Sequence, residues 1–329
     1  MVILQAGRAK SGNFWLYNII QSLLVTSGVN QKRFIIHQPI YEKIDRSQLA
    51  NSQQAEIDTI DIRPDGCDYI LGPFYRQSIT DFNHYLMSTT HVWTHSIWHN
   101  DCSGIYNKFD KIIYIIRDPR DVAISMSEFA FTPYMQNWPH PHREKNPKSY
   151  LKHHIYSMTI KWVMHVCSYL HHAENDKVFI IFYENLLHEF ESQVASLANF
   201  IEIDIPTAGI RQLEEQLSIE RMRNDNPQHV RKGLSGGWRD SLSEKQNQRV
   251  ITIAGPLLDL LGYPLTPQQY SLPHPPSAID NHQLDEIESS SHGNIINQLI
   301  YAYYFFVSRR PIRDKLFKGL AFIKHQFCE

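Results

Sequence analysis

The stretch Met1-Val2-Ile3-Leu4-Gln5-Ala6-Gly7-Arg8-Ala9-Lys10-Ser11-Gly12 decides how we interpret the fold. Its apolar start predicts a buried strand, and its glycine-bounded basic end predicts a tight loop. From Asn13 onward, apolar residues recur at spacings of three and four, which predicts a helix. A strand, a loop and a helix in this order point backbone N–H groups at an anion. Lys10 and Ser11 add a positive charge and a hydroxyl, so the stretch predicts a phosphate-binding loop.

An ordinary strand-to-helix turn with a solvated lysine is the alternative interpretation of this loop. The loop lacks the Gly-x-x-x-x-Gly-Lys-[Ser/Thr] pattern of nucleoside-triphosphate-binding loops, because Ala9 precedes Lys10. The decision between the two interpretations therefore depends on the rest of the chain.

Apolar strand candidates alternate with helical stretches downstream of this loop. We predict strands at 69–72, 91–95, 111–117 and 177–183, and helices at 122–131, 150–172, 189–201 and 245–261. The polar stretch 42–66 is predicted to be a surface excursion. The alternation predicts an α/β fold, with a parallel β-sheet flanked by helices on both faces. Ligands bind such sheets at the carboxyl ends of the strands, where this chain has Lys10, His95, Arg117 and Tyr183.

Composition narrows the class of protein. The 329 residues carry a formal net charge of −2, so no overall basic field points to nucleic acid. The four cysteines are scattered without a Cys-x-x-Cys pair, which fits a reducing compartment rather than a disulfide or zinc framework. We see no basic and apolar leader pattern, and expect no signal peptide. These features predict a cytoplasmic protein.

The composition changes at Ser271, which predicts three segments. We expect a main domain at 1–270 and a linker at 271–293, where Pro, Ser, Asp and His are frequent. A helical C-terminal extension at 294–329 follows, apolar and aromatic at first and then basic and amphipathic. The extension has two open placements: docking on its own or a partner subunit, or lying on a membrane surface. We favour docking, and homodimer formation stays open.

Three separated stretches resemble one family when they are taken together. They are Lys10-Ser11-Gly12-Asn13-Phe14-Trp15, Ile115-Ile116-Arg117-Asp118-Pro119-Arg120-Asp121-Val122-Ala123-Ile124-Ser125, and Arg231-Lys232-Gly233-Leu234-Ser235-Gly236-Gly237-Trp238. In order and spacing they resemble the cytosolic, small-molecule sulfotransferases, which use 3′-phosphoadenosine-5′-phosphosulfate (PAPS) as sulfuryl donor. The resemblance covers about residues 2–265. It implies a P-loop-like sulfotransferase fold and no metal.

The resemblance also implies a set of residues that bind PAPS. This set is Lys10, Ser11, Gly12, Asn13, Phe14, Trp15, Arg117, Ser125, Tyr183, Ser218, Arg231, Lys232 and Gly233. PAPS carries about four negative charges near pH 7, since a phosphate monoester holds about −1.5 to −2. The set supplies four cations to match them, and arginine suits bidentate phosphate binding. Each of these residues also has an ordinary structural interpretation, such as a solvated Ser125 or a core Trp15.

His95 is the candidate base and Lys10 its catalytic partner. A neutral imidazole accepts the proton of an attacking hydroxyl, and Lys10 stabilises charge on the leaving phosphate. Asn13 and Phe14 stand where the family usually has two Thr, and Trp93 where it has a Lys. The expected acceptor is a small molecule, with secondary-metabolite tailoring as a role. Its expected pocket walls are the aromatic residues Phe74, Tyr75, Trp93, Trp98, Phe129, Phe131, Tyr134 and Trp138.

Two other functions stay open from the sequence. One is a nucleotide-dependent phosphoryl transferase, which would need Mg²⁺ and a phosphate-binding lysine of the triphosphate-loop type. The other is a catalytically inactive protein that binds the product nucleotide, 3′-phosphoadenosine-5′-phosphate (PAP). The substituted loop at Asn13 and Phe14 suggests the second possibility.

Overall fold

A computed structural model describes residues 1–72, 75–136, 143–225 and 233–291 of the chain. Among these residues, seven strands form one sheet. The strands are β1 (Ile3–Gly7), β2 (Asp58–Arg63), β3 (Gly66–Leu71), β4 (Tyr75–Ser78), β5 (His91–Thr94), β6 (Lys111–Ile116) and β7 (Val178–Phe182). Their order across the sheet is β4-β3-β2-β5-β1-β6-β7.

The helices of the described residues connect these strands and cover the sheet. They are α1 (Asn13–Thr26), α2 (Pro39–Lys43), α3 (Phe82–Met87), α4 (Ser103–Tyr106), α5 (Pro119–Phe129), α6 (Pro133–Gln136), α7 (Pro147–Leu170), α8 (Tyr183–His188), α9 (Phe190–Phe200), α10 (Thr207–Gln216), α11 (Ile219–Asp225), α12 (Trp238–Ser241), α13 (Glu244–Leu260) and α14 (Asn281–Ser291). Short 3₁₀ turns lie at Ile35–His37, Arg46–Gln48, Ser52–Glu56 and Asn100–Cys102.

The central strands run parallel, which confirms the predicted α/β fold. Strand β1 pairs in parallel with β5 and β6, β7 extends the sheet beyond β6, and β2 extends it beyond β5. Strands β3 and β4 are antiparallel and form one edge. The carboxyl ends of β1, β5, β6 and β7 therefore meet along one side of the sheet. Lys10, His95, Arg117 and Tyr183 follow these ends.

The apolar residues of the central strands form a core on each face of the sheet. All five residues of β1 are buried, as expected for a strand covered on both faces. One cluster joins the sheet to α1 and α9, and a larger one joins the opposite face to α5, α7, α13 and α14. A parallel sheet clamped in this way provides a rigid base for the loops at its carboxyl edge.

The prediction of a surface excursion at 42–66 is wrong. Residues 58–63 form β2, which lies inside the sheet, with Ile60 and Ile62 only 1% and 3% exposed. The strand was not predicted because polar residues alternate with its apolar ones. Asp58 is buried because its carboxylate accepts hydrogen bonds from the Phe34 and Ile35 N–H groups, 2.7 and 2.8 Å away. The antiparallel strand β4 was not predicted either.

Helix α14 lies in the second half of the predicted linker 271–293. Leu284 and Ile287 are buried, and the helix packs on α7 and α13. The predicted C-terminal extension at 294–329 lies outside the described residues. Within the described part of the chain, no helix is both long enough and apolar enough to cross a membrane.

Candidate active site

The loop after β1 is a compact turn held by its own backbone. The Ser11 N–H and the Asn13 side-chain amide both donate to the Arg8 carbonyl, at 3.1 and 2.8 Å. Gly12 has φ +97°, a region that favours glycine, and a Cβ there would overlap the Tyr183 ring. The loop therefore approaches Tyr183 more closely than any other residue at position 12 would allow. Helix α1 begins immediately afterwards, at Asn13.

Arg117 connects this loop to a second loop, 233–237, that is distant in sequence. Its guanidinium donates from Nη1 to the Lys10 carbonyl at 3.1 Å and from Nη2 to the Leu234 carbonyl at 2.9 Å. The guanidinium carbon lies 4.2 Å from the centre of the Tyr183 ring. These contacts fix the orientation of the guanidinium, a group whose planar fork suits bidentate binding of an oxyanion.

Three buried side-chain atoms of this loop and of Arg117 have no hydrogen-bond partner among the described residues. They are the Ser11 hydroxyl oxygen, the Arg117 Nε and the Asn13 Oδ1, of which the first two can donate. Buried polar groups are nearly always hydrogen-bonded, so an unsatisfied donor on Arg117, which lines the cavity, is consistent with a ligand oxygen there. The two loops therefore have the donor chemistry of an anion site.

Asp121, on the first turn of α5, holds the second loop in place by hydrogen bonds to its main chain. Its carboxylate accepts hydrogen bonds from the Gly236 N–H at 2.7 Å and the Trp238 N–H at 3.0 Å. Burial, with the nearby Asp118 charge adding, raises the pKa of this carboxyl. Gly233, at the start of the loop, has φ +60°, and a Cβ there would overlap the Ile219 side chain. The sequence does not indicate these contacts of Asp121, because its loop partners are more than a hundred residues away.

His95 follows β5 and is held in one tautomer. Its Nδ1 lies 2.6 Å from the Gly7 carbonyl oxygen. A carbonyl only accepts, so Nδ1 carries the proton and Nε2 keeps its lone pair when the ring is neutral. The ring reaches solvent along the cavity, but surrounding protein atoms desolvate it. Desolvation, with the Arg8 and Lys10 charges adding, lowers the pKa of His95 to about 4, so the ring is neutral at pH 7.

One cavity of about 510 Å³ joins these groups. We call its part near β6 and β7 the donor half, and its part near β2, β3 and β5 the acceptor half. The donor half is lined by Gly12, Asn13, Phe14, Trp15, Arg117, Asp121, Ser125, Tyr183, Gly233 and Leu234. The acceptor half is lined by Asn51, Gln54, Ile57, Thr59, Ile70, Leu71, Trp93, Met126, Phe129, Tyr134 and Met135.

Lys10 and His95 line the same cavity between the two halves. The Lys10 ammonium lies 4.2 Å from the centre of the Phe129 ring, a cation–π contact with the acceptor half. Lys10 has φ +73°, a conformation uncommon for a residue with a side chain. The fold thus places a cation and a neutral base where the polar and apolar walls meet.

Most of the residues predicted from sequence line this cavity. Ser11 is fully buried behind it, and Ser218 does not line it, although the adjacent Ile219 does. Arg231 and Lys232 lie outside the described residues. Among the predicted aromatic walls, Trp93, Phe129 and Tyr134 line the cavity. Trp98 instead stacks in the core on Tyr106 and His172. Phe74 and Trp138 lie outside the described residues.

Sequence reasoning missed several residues of the site. The acceptor-half residues Asn51, Gln54 and Thr59 were assigned to a surface excursion, so their position in the cavity was not predicted. Leu234 is the residue that follows the matched glycine of the second loop. Within the described residues, no group of three or more His, Cys, Asp or Glu side chains is arranged to hold a metal ion.

Comparison with known proteins places this site in a family. The family model of the sulfotransferase domain matches residues 2–262. Sulfotransferase 1B1 of Canis lupus familiaris is 24% identical over 175 residues, which cover 48% of this chain and 55% of the relative. Sulfotransferase 1E1 of Rattus norvegicus is 26% identical over 176 residues, which cover 47% of this chain and 54% of the relative. The chain thus spans about half the length of the curated relatives it matches.

Solved structures share the fold at low sequence identity. Mouse sulfotransferase SULT7A1, complexed with PAP, superposes with a TM-score of 0.51 at 17% identity, over 92% of this chain and 88% of that one. Retinol dehydratase, in complex with androsterone and the inactive cofactor PAP, superposes with a TM-score of 0.52 at 17% identity. The superposition covers 83% of this chain and 82% of that one. With the family model covering most of its length, the chain belongs to the sulfotransferase domain family.

Proposed function

We propose that the chain transfers the sulfuryl group of PAPS to a small-molecule acceptor and releases PAP and a sulfated product. The acceptor atom is a hydroxyl oxygen, or an amine or amide nitrogen. The observation that carries this proposal is the single cavity in which Arg117 and Lys10 share space with the neutral His95. The family membership and the PAP bound in two structural neighbours support it.

The donor half has the groups that PAPS needs. Arg117 and Ser125 would hold the 3′-phosphate, since an arginine fork and a hydroxyl both donate to phosphate oxygens. Lys10 and the first N–H groups of α1, which have no partner within the helix, would hold the 5′ end. The Arg117 Nε, unsatisfied among the described residues, fits such an anionic ligand.

Two aromatic rings of the donor half suit the adenine base. Trp15 and Tyr183 line the cavity and meet edge to face, with ring centres 5.7 Å apart. The indole N–H of Trp15 donates to the Leu217 carbonyl at 2.9 Å, which fixes the orientation of its ring. Gly233 would allow the backbone to come close to the nucleotide. Arg231 and Lys232, which precede it in sequence, remain predicted ligands of the phosphate groups. Bound PAPS supplies the sulfuryl group, and no metal is part of the proposal.

His95 is the proposed general base. The Gly7 carbonyl holds the Nδ1 proton, so Nε2 is the atom that takes the proton from the acceptor hydroxyl. The low pKa of the free protein keeps this nitrogen unprotonated at pH 7. The ammonium of Lys10 places positive charge beside the phosphate end of the donor, where negative charge grows during transfer.

The acceptor half determines the chemistry of the acceptor. Its walls are mostly apolar and aromatic, and the polar side chains among them are the neutral Asn51, Gln54 and Thr59. The whole cavity, at about 510 Å³, is in the range typical of small-molecule sites. An uncharged small molecule with an apolar body and one hydroxyl or amine therefore fits this half better than a glycan chain.

Cellular location and assembly are minor parts of the proposal. Cys67, Cys102 and Cys167 are free and buried, which supports a cytoplasmic enzyme of small-molecule metabolism, including secondary metabolism. Formation of a homodimer stays a prediction, which light scattering of the full chain would test.

A transfer assay tests the function directly. The full chain is incubated with PAPS and a set of phenols, aliphatic alcohols and aryl amines, and products are followed by mass spectrometry. We expect the mass of one sulfuryl group on at least one acceptor, and its loss in His95→Ala. His99→Ala is a matched control, because His99 is a neighbouring histidine that does not line the cavity.

The same assay separates the alternatives. Mg²⁺-dependent turnover of ATP without sulfation would favour a phosphoryl transferase. PAP binding with no sulfation of any acceptor would favour an inactive binding protein. Sulfation that persists unchanged in His95→Ala would contradict the proposed base.

A further inference from the structure

A second histidine contacts the main chain of the candidate base His95, on the side away from the cavity. His165, on α7, is fully buried and does not line the cavity. Its Nε2 lies 3.1 Å from the main-chain carbonyl oxygen of His95. Because that carbonyl only accepts, Nε2 carries the proton and donates it. Nδ1 then accepts a hydrogen bond from the Tyr114 hydroxyl at 2.8 Å. Both ring nitrogens of His165 are therefore satisfied in one neutral tautomer.

The partners of His165 belong to a stacked aromatic group within the core. Tyr114, on β6, stacks on Tyr169 with ring centres 4.0 Å apart and planes 3° apart. Tyr169, one helical turn after His165, donates from its hydroxyl to the Ser96 carbonyl at 3.0 Å. Two side chains of α7 thus hold two consecutive carbonyls, those of His95 and Ser96.

The hydrogen bonds from His165 and Tyr169 lie just beyond the end of strand β5, where backbone pairing within the sheet has stopped. The pairing of β1 with β5 ends at Thr94, so the His95 and Ser96 carbonyls lie beyond the ladder of the sheet. Buried carbonyls beyond a ladder need other partners. His95 is consequently fixed on two sides, its ring by the Gly7 carbonyl and its main chain by His165.

We propose that His165 is a positioning residue that orients His95 for proton transfer by holding its main-chain carbonyl. This inference rests on the proposed function, because it gives His165 a role toward His95 as the base. His165 itself touches neither donor nor acceptor. A shift of about 1 Å in a reacting group costs on the order of 100-fold in rate. Loss of the hydrogen bond therefore slows transfer and leaves nucleotide binding intact.

Two substitutions at His165 test this role. His165→Leu removes the donor at similar volume, and His165→Gln retains an N–H near the position of Nε2. We expect the first to lower kcat by about 10- to 100-fold, with the Kd for PAP within about threefold of wild type. The second should recover most of the activity. Equal kcat values for folded His165→Leu and wild type would overturn the proposal, and so would equal losses in both variants.

Tyr114→Phe is a milder variant that keeps the ring stacking. It removes the hydroxyl that lies 2.8 Å from His165 Nδ1 and 3.2 Å from the His165 carbonyl oxygen, and we expect kcat to fall several-fold. Tyr106→Phe is its control, because Tyr106 lies in the same group without contacting His165 and should have less effect. If His165→Leu fails to fold, this pair decides the question. A Tyr114→Phe enzyme with wild-type kcat would then contradict the inference.

A readout without turnover distinguishes this inference from the proposed function. In ¹⁵N-histidine-labelled full chain, His95 should give one set of signals typical of a protonated Nδ1, with His95→Ala for assignment. We expect these signals to broaden or split in His165→Leu, and unchanged signals would overturn the positioning role. If His95→Ala keeps full activity while the signals respond as expected, the assignment of the base fails and the contact between the histidines stands.

Discussion

The donor half and the acceptor half of the cavity are built in different ways. In the donor half, Arg117 and Asp121 hydrogen-bond the main chain of two loops and fix them to the sheet. In the acceptor half, the short segments 50–57 and 130–136 form part of the wall, and the rest comes from β2, β3, β5 and α5. One hydrogen bond, from Gln54 Nε2 to the Tyr134 hydroxyl at 3.2 Å, connects these two segments.

This difference indicates how the two halves have been specialised. A nucleotide with fixed charges needs donors in a fixed frame, since pre-organised hydrogen bonds avoid reorganisation when the ligand binds. Apolar walls recognise shape and area, and side chains of the two short segments can be substituted without disturbing the frame. We therefore expect changes in the donor half to weaken nucleotide binding, and changes in the acceptor half to alter the choice and affinity of the acceptor.

The largest effect is expected for Arg117→Ala. This change removes the proposed ligand of the 3′-phosphate and the two bonds that connect the loops at Lys10 and Leu234. Charge-assisted hydrogen bonds are each worth about 1.5–3 kcal/mol, so PAP affinity should fall by about 100-fold or more. Calorimetric titration measures the loss. Arg211→Ala, at a surface arginine paired with Glu191, is the control and should bind PAP like wild type. Similar affinities for the two variants would refute the donor-half assignment.

A pair of glycine substitutions comes next. Gly12→Ala forces a Cβ into the Tyr183 ring at a positive φ, and PAP affinity should fall about tenfold as the loop shifts. Gly28→Ala also has a positive φ, but its Cβ meets no atom within 4 Å. It should cost about 1 kcal/mol of unfolding free energy and leave PAP affinity unchanged. Thermal melts and calorimetry on both variants separate backbone strain from loss of the site.

Asp121→Asn should loosen the second loop without unfolding the protein. An asparagine keeps one acceptor oxygen for the Gly236 and Trp238 N–H groups and loses the charge. Hydrogen exchange of these two amides should accelerate by about tenfold, in keeping with loss of one charge-assisted bond. Asp259→Asn, at an exposed acid on α13, should leave the same amides unchanged. Unaltered exchange in Asp121→Asn would show that the loop has other anchors.

Binding of the nucleotide should change the pKa of His95. In the free protein, desolvation by surrounding protein atoms and two nearby cations hold this pKa at about 4. PAP brings negative charge, which stabilises the protonated ring, so the pKa should rise by about one unit or more. Activity needs the neutral ring and should therefore fall as the pH drops through the raised value. An NMR titration with and without PAP measures the shift, and a pKa that stays constant or falls would place the nucleotide elsewhere.

The smallest effect is expected in the acceptor half. Tyr134→Phe removes the hydroxyl that joins the two wall segments to each other. Loss of one neutral hydrogen bond is worth about 1 kcal/mol, so the KM for the acceptor should change by less than about fivefold. The Kd for PAP should stay constant, as in the control Tyr270→Phe, at an exposed tyrosine that does not line the cavity. A large loss of PAP affinity in Tyr134→Phe would show that the two halves are not independent.

The same contrast explains what could be predicted from sequence. The continuous apolar run of β6 and the contiguous loop from Gly7 to Gly12 carry local signals, and both were predicted. Strand β2 was missed because the buried Asp58 obtains its partners from a turn at residues 34–35. Asp121 and Gly236 come together across 115 residues, which no local pattern encodes.

The roles of His165 and of the acceptor-half side chains could not be predicted from local sequence patterns either. The chain has eighteen histidines, and only the packing of α7 on β6 distinguishes His165 from the others. Trp98 and Trp93 are five residues apart and similar in sequence context, yet one stacks in the core and the other lines the cavity. The identity of the acceptor depends on such details of packing, which explains why the sequence predicted the donor and not the acceptor.

The most direct test of the two-ended nucleotide site compares PAP with adenosine 5′-monophosphate by calorimetry on the full chain. The two ligands differ only in the 3′-phosphate, which we assign to Arg117 and Ser125. We predict one site per chain, a Kd on the order of 1 μM for PAP, and binding about 100-fold weaker for the monophosphate. Equal affinities, or no heat with PAP, would contradict the assignment of this cavity to the sulfuryl donor.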